Sequence, residues 1–160
     1  MAAAAERVLA DLTRVVARLV ASADHDGFLE ACLSTVVEAL GADRGLLLLT
    51  DAAGTAITVH ARGRGGRLSA REQAEVSRTI IHEVWQRGVA LLVEPDVGAG
   101  SASVQALGIA VALAAPLRQL GGDEVRGVAY LDYRDVRATV GAAERDVLAL
   151  AADLMAVVLA

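Results

Sequence analysis

The chain has 160 residues, 55% of them hydrophobic and 22% charged, which suits one domain with a single core. Its formal net charge is −5 and it contains no lysine, so we expect no direct nucleic-acid partner and exclude chemistry that needs a lysine amine. Apolar stretches fall short of the roughly 20 residues of a membrane span, and no signal-peptide pattern is present, which predicts a cytoplasmic protein without a membrane partner.

The first 41 residues predict two helices. Residues 2–22 carry apolar side chains with a 4-3-4 spacing that places them on one helical face: Val8, Leu12, Val15 and Leu19. This face packs either against the domain's own core or against a second copy of the helix, and the pattern leaves both open. A second helix is predicted from residue 26 or 27 to Leu40, with Gly41 as its stop.

The middle of the chain predicts a hairpin followed by a helix. The run Gly45–Thr50 fits a strand buried on both faces, and residues 57–62 alternate apolar and polar side chains as a half-buried strand does. A glycine- and arginine-rich loop follows. Ser69 and Glu72 have the spacing of a capping box, which opens helical sequence reaching Arg87, and Gly88 closes it.

The last part predicts a short strand at residues 89–93, a polar loop at 94–103 and a second hairpin formed by residues 109–119 and 124–134. A final helix begins at Ala142, and Asp153 is its only polar residue after Val147. The order of elements predicts an α+β fold around an antiparallel sheet. We expect residues 1–24 to form a signalling or dimerisation helix and residues 25–160 the main domain.

Familiar catalytic patterns are incomplete. His82 and Glu83 begin a zinc-protease signature, but Gln86 stands where the second histidine is needed. No histidine follows Ser101, which excludes a hydrolase triad in its usual chain order. Cys32 lies on the apolar face of a predicted helix, as a core residue does. We therefore expect no enzyme activity and no metal.

Several stretches together resemble the GAF domain, a small-molecule sensor module of signalling proteins. They follow one another in the family's order: Phe28–Leu33 and Ala39–Leu49, Ser77–Ile81, Gly88–Val93 with Pro95–Asp96, Ser103–Ile109, Ala115–Leu117, and Gly127–Arg134. The resemblance covers about residues 25–160. It implies a GAF/profilin-like central antiparallel sheet flanked by helices, with the N- and C-terminal helices packing together, and it implies an output domain in a longer chain.

The resemblance also implies a ligand cavity between one sheet face, the start of the third helix and the loop before the second hairpin. The residues that it places there are Ser77, Arg78, Thr79, Asp96, Ser101 and Ser103. His60 and Arg62 share one strand face that could look into the cavity or face water, and Tyr130 shares a strand face with Asp132. Ser77 could instead be a helix N-cap, and Tyr130 a core residue. Arg64, Arg67 and Arg71 are expected at a solvated rim.

Two functions remain open from the sequence. The first is a regulatory domain of a bacterial signalling or transcription-regulatory protein that binds an unknown small molecule, without a cofactor, and relays its state through the terminal helices of a homodimer. The second is a ligand-free dimerisation scaffold. Both use the same expected interface: Val8, Leu12, Val15, Leu19, Val147, Leu150, Leu154 and Val158. A cavity with convergent polar groups favours the sensor, whereas a sheet face filled by its own side chains favours the scaffold.

Overall fold

The computed structural model describes residues 2–22, 24–94, 101–119, 121–134 and 140–159. The helices in this part of the chain are α1 (Ala2–Ser22), α2 (His25–Ala39), α3 (Ala70–Ala74), α4 (Arg78–Arg87), α5 (Ser101–Ala106) and α6 (Ala142–Ala156), which a 3₁₀ turn (Val157–Leu159) extends. The strands are β1 (Arg44–Thr50), β2 (Ala56–Gly63), β3 (Leu91–Val93), β4 (Val111–Arg118) and β5 (Val125–Tyr133).

The five strands form one antiparallel sheet with the order β2-β1-β5-β4-β3. Both predicted hairpins are confirmed, β1 with β2 and β4 with β5, and β1 also pairs with β5 at the centre of the sheet. Gly54 and Gly121 have positive φ angles in the two hairpin loops, a conformation that glycine adopts without steric cost. The α+β prediction is confirmed.

The sheet is covered on both faces, and alternate residues of the central strands enter two different cores. On β1, Leu47 enters the core that the sheet forms with α1, α2 and α6, which we call the terminal-helix core. Its neighbours Leu46 and Leu48 enter the core that the sheet forms with α4, which we call the α4 core. This arrangement confirms the prediction that β1 is buried on both faces, because side chains alternate between the faces of a strand.

The N- and C-terminal helices pack together, as the resemblance implied. Val8 and Leu12 of α1 are fully buried in the terminal-helix core, where Leu148 and Met155 of α6 also lie. Helix α2 packs beside them through an apolar face that includes Leu33. The three helices therefore form one packed layer on a single face of the sheet.

The prediction of continuous helical sequence from Ser69 to Arg87 is wrong. The capping box at Ser69 and Glu72 is present, but α3 ends after Ala74 and a new helix starts behind Ser77. Between them Val76 turns inward and is buried in the α4 core. Tertiary packing of this apolar side chain therefore interrupts a segment whose local pattern is helical.

Strand β2 exists as predicted, but its expected alternation of buried and exposed residues fails. Its register against β1 shifts between the partners of Leu47 and Leu48, where Val59 is the extra residue of a bulge. Ile57, which was expected on the buried face, is 45% exposed. Its neighbours Ala56 and Thr58 in this edge strand are exposed as well.

Gly127 allows the backbones of β5 and β1 to approach each other closely. A Cβ atom at this position would lie 2.5 Å from the carbonyl oxygen of Leu48, so Gly127→Ala forces a backbone shift and is expected to destabilise the fold by about 1–3 kcal/mol. Gly65→Ala is the control, because open space surrounds Gly65 and it does not need a positive φ. Urea denaturation of both variants tests this prediction, and equal midpoints would contradict it.

Candidate functional site

A buried ion pair lies at one end of the central strands, on the α4 side of the sheet. The Arg44 guanidinium donates from Nε to Asp132 Oδ1 over 3.0 Å and from Nη2 to Asp132 Oδ2 over 2.5 Å. Its nitrogens also donate to the carbonyl oxygens of Glu72 and Glu75, at 2.7 and 2.8 Å. Burial lowers the pKa of Arg44, but the hydrogen bonds and charge of Asp132 outweigh burial and raise this pKa overall.

Tyr130 belongs to the same buried network. Its hydroxyl donates to Asp132 Oδ2 over 3.0 Å and accepts a hydrogen bond from the backbone N–H of Ser77. Burial and the neighbouring Asp132 carboxylate raise the pKa of the phenol far above its ordinary value. Tyr130 is therefore a neutral core residue whose polar atom is already satisfied by the protein.

Ser77 is likewise occupied by the fold. It is the N-cap of α4, its Oγ accepts from the Ile80 N–H at 3.3 Å, and the residue is fully buried. The structure therefore favours the N-cap interpretation of Ser77 over a role as an open ligand contact. Arg78 and Thr79, which follow it in α4, are exposed at the surface.

The remaining residues of the expected cavity lie outside the described part of the chain. This applies to Asp96 and to the side chains of Ser101 and Ser103, whose backbone forms the start of α5. In the described residues, the sheet face beneath α4 is packed with fully buried apolar side chains: Leu46, Ile80, Val84, Val104, Ala112, Ala114 and Val128. The described part of the expected cavity wall on this sheet face is thus closely packed with apolar side chains.

An open cleft of about 300 Å³ lies instead along the edge strand β2. Helix α2 forms one wall, residues 58–62 of β2 form the floor, and four residues after β2 form the other wall: Gly66, Arg67, Leu68 and Gln73. Two of the residues selected from the sequence, His60 and Arg62, line this cleft. Among the selected residues whose side chains the structure describes, His60 and Arg62 therefore lie at this cleft, whereas Ser77 and Tyr130 lie in the buried network.

His60 and Arg62 both contact α2, although the Arg62 side chain remains 41% exposed. The imidazole Nε2 of His60 lies 2.9 Å from Asp26 Oδ1, and Arg62 Nη2 donates to Glu38 Oε1 over 3.3 Å. Both acidic partners belong to α2, so these pairs connect the edge strand to that helix. In each pair at least one of the two side chains is exposed to solvent. Each pair therefore contributes at most about 1 kcal/mol to the free energy of unfolding.

Three further polar residues of the cleft were not expected at a binding site. Glu30 and Ser34 lie four residues apart on α2, which places them on one helical face, and Arg67 was expected only at a solvated rim. The signal for the first two was their i, i+4 spacing, but nothing in the sequence indicated that this face of α2 meets the edge of β2. Only the folded arrangement brings these side chains together.

The residues of the expected dimer interface differ in their exposure to solvent. Val8 and Leu12 are buried within this chain, Val147, Leu154 and Val158 are half-buried, and Leu150 is 42% exposed. The side chains of Val15 and Leu19 lie outside the described residues. Of the expected set that the structure describes, Leu150 is thus the residue most accessible to a second chain.

Neither metal nor thiol chemistry has support in the described residues. Their histidine, cysteine and acidic side chains form no group of three or more that could hold a metal ion. Burial raises the pKa of the Cys32 thiol to about 12, which keeps it protonated and unreactive at neutral pH.

Within the described residues, no helix is both long enough and apolar enough to cross a membrane.

The chain belongs to the GAF domain family, whose model matches residues 24–159. This family consists of sensor and regulatory domains of signalling proteins. No curated protein sequence matches that of this chain at a significant level.

Several solved structures share the fold. The GAF domain of a phosphoenolpyruvate-protein phosphotransferase from Coxiella burnetii is 17% identical, with a TM-score of 0.73 over 97% of this chain and 94% of that one. The phycocyanobilin-bound GAF domain of a cyanobacterial phytochrome is 18% identical, with a TM-score of 0.72 over 95% and 93% of the two chains. Residues 122 to 287 of a methyl-accepting chemotaxis protein are 20% identical, with a TM-score of 0.69 over 91% and 94%. At these identities the similarity establishes the fold alone.

Removing the negative charge of Asp132 leaves the Arg44 guanidinium buried without a counterion. We expect Asp132→Asn to lower the free energy of unfolding by about 3–5 kcal/mol. The control is Glu83→Gln, which breaks the exposed pair between Glu83 and Arg87 in α4 and is expected to cost less than about 1 kcal/mol. Chemical denaturation measures both, and a cost for Asp132→Asn as small as that of the control would contradict the structural role of the pair.

Proposed function

We propose that this GAF domain is a small-molecule sensor of a bacterial signalling or transcription-regulatory protein, and that it relays its ligand state through the terminal helices of a homodimer. The observation that carries the proposal is the position of Leu33 on α2. This side chain lines the cleft and is also buried in the terminal-helix core beside α1 and α6. A ligand in the cleft would therefore touch the same helix that supports both terminal helices.

The relay follows from close packing. Protein cores pack as densely as organic crystals, so a helix within one shifts together with its neighbours or not at all. A ligand that displaces α2 from β2 competes with the bonds of His60 and Arg62 to that helix. Those bonds are weak, so they add little to the free-energy cost of moving α2, which is set mainly by the apolar face that this helix buries in the terminal-helix core.

The homodimer rests on an exposed apolar stripe of α6 and the turn after it. Val147, Leu150, Leu154 and Val157 follow a 3-4-3 spacing, and Leu150 and Val157 are 42% and 48% exposed. Leu9 of α1, the helix beside α6, is also exposed. We propose that this stripe meets its copy across a two-fold axis, since two such helices can bury each other's apolar residues. Val8 and Leu12 then support the interface from within the core of each chain.

A ligand-free dimerisation scaffold is the second candidate. The observation that favours it is the α4 core, where protein side chains fill the sheet face that was expected to hold a ligand. Both candidates include the dimer, and they differ in whether the cleft along β2 is occupied. In either case we propose a cytoplasmic location, an output domain in a longer chain and no resident cofactor.

Leu150→Asp tests the interface. A charge at the centre of the stripe would be buried without a partner, so we expect the dimer dissociation constant to rise about 100-fold or more. Ile57→Asp is the matched control, because Ile57 is similarly exposed but lies on β2. Analytical ultracentrifugation should show a dimer for the wild type and for Ile57→Asp, and a monomer for Leu150→Asp. A monomeric wild type, or a dimer that survives Leu150→Asp, would remove the proposed interface.

Native mass spectrometry tests the sensor. The protein is incubated with the small-molecule fraction of a bacterial extract and then desalted, and we expect a dimer with extra mass that is lost on denaturation. Ser34→Trp places a bulky side chain in the cleft and should abolish the extra mass. His82→Trp, an exposed change on α4, should retain it.

The two candidates give different spectra. A bare wild-type dimer would overturn the sensor in favour of the scaffold. Extra mass that Ser34→Trp retains would show a ligand outside the cleft and would overturn the proposed relay through α2.

A further inference from the structure

The two walls of the β2 cleft carry opposite charges that have no partner among the described residues. Glu30 lies on the α2 wall, and Arg67 lies on the wall formed by the segment after β2. Among the described residues neither side chain has a hydrogen bond or an ion pair. The polar floor residues differ from them, because His60 is hydrogen-bonded to Asp26 and Arg62 is paired with Glu38.

The rest of the lining is neutral and of mixed polarity. Ser34 and Thr58 contribute hydroxyl groups that can donate or accept a hydrogen bond. Leu33, Val59 and Leu68 contribute apolar surface. A ligand for this cleft therefore needs one positive group, one negative group and a small body that tolerates both hydroxyl and aliphatic contacts.

The size of the cleft restricts the ligand further. A volume of about 300 Å³ is at the lower end for small-molecule sites and equals that of roughly ten water molecules. A ligand of roughly ten heavy atoms fills such a space. Nucleotides and tetrapyrroles are several times larger, whereas amino acids have this size.

Charge balance distinguishes a zwitterion from a simple anion. A carboxylate or phosphate without a positive group would be attracted by Arg67, but it would also meet the carboxylate of Glu30 in the same cleft. A molecule with a separate ammonium and carboxylate satisfies both walls, and each contact is a charge-assisted hydrogen bond. The lining therefore discriminates against ligands of either single charge.

The edge strand supplies suitable backbone groups as well. Beyond Gly63, which pairs with Gly66, β2 has no second neighbouring strand in the described part of the chain. The outward N–H and C=O groups of an edge strand can bond a carboxylate and an ammonium, just as they bond an added strand.

The geometry points to a free α-amino acid, or an equally small zwitterion, as the ligand of the β2 cleft. This inference rests on the proposed sensor function. Its ammonium group lies at Glu30 and its carboxylate at Arg67, and its side chain contacts the apolar lining.

The probes are the twenty protein amino acids, each added at 10 mM in a thermal-shift assay, which is on the order of the concentration needed to detect a weak ligand. We expect at least one of them to raise the melting temperature. Its N-acetyl derivative lacks the positive charge and its amide derivative lacks the negative charge, so both should fail to do so. By calorimetry, Glu30→Gln and Arg67→Ala should each weaken binding about tenfold or more.

Matched variants distinguish a charge contact within the cleft from a general effect of the protein's net charge. Glu83→Gln and Arg71→Ala remove the same kinds of charge from exposed positions that do not line the cleft, and they should leave the affinity unchanged. An affinity that falls equally in these variants would overturn the assignment. Equal binding of the parent amino acid and its two derivatives would also overturn it.

The assay also separates this inference from the proposed function. If no amino acid binds but native mass spectrometry shows an extra mass that Ser34→Trp abolishes, the sensor stands and the zwitterion assignment is wrong. If no amino acid binds and no mass is retained, both are wrong.

Discussion

The buried pair of Arg44 and Asp132 is the interaction on which the α4 side of the domain depends. It joins the start of β1 to the end of β5, and its remaining donors hold the carbonyls of Glu72 and Glu75. A guanidinium buried to this extent requires a carboxylate and further acceptors around it. The backbone carbonyls at the end of α3 therefore bind to Arg44, and the Tyr130 hydroxyl binds to Asp132. One ion pair thus fixes the position of both the α3–α4 segment and Tyr130.

This requirement gives the two faces of the sheet different properties. On the α4 side, polar atoms are matched within the protein and apolar side chains fill the remaining space. On the other side, α2 is tied to the edge strand by exposed ion pairs and borders an open cleft. The polar contacts between α2 and β2 are therefore the weaker ones, because water competes for their charged groups, whereas those of the α4 side are buried.

Much of the fold was predictable because its signals are local. The stop of α2 at Gly41, the capping box at Ser69 and the two hairpins follow from spacing and turn residues, and the structure confirms them. The break between α3 and α4 was not predictable in this way. It depends on Arg44, which is 28 residues before Glu72 in the chain, and on the burial of Val76. Helix propensity carries no information about such distant partners.

The sequence by itself determined the α+β class, the two hairpins and the family, because periodicity, turn chemistry and ordered motifs are properties of neighbouring residues. It also selected His60, Arg62, Ser77 and Tyr130 as polar residues near the sheet. Only the tertiary structure decided what these residues do, since it placed Ser77 and Tyr130 in a satisfied buried network and left Glu30 and Arg67 facing a cleft. The reason is physical: the availability of a polar group depends on which partners the fold brings within about 3 Å, and those partners lie far away in the chain.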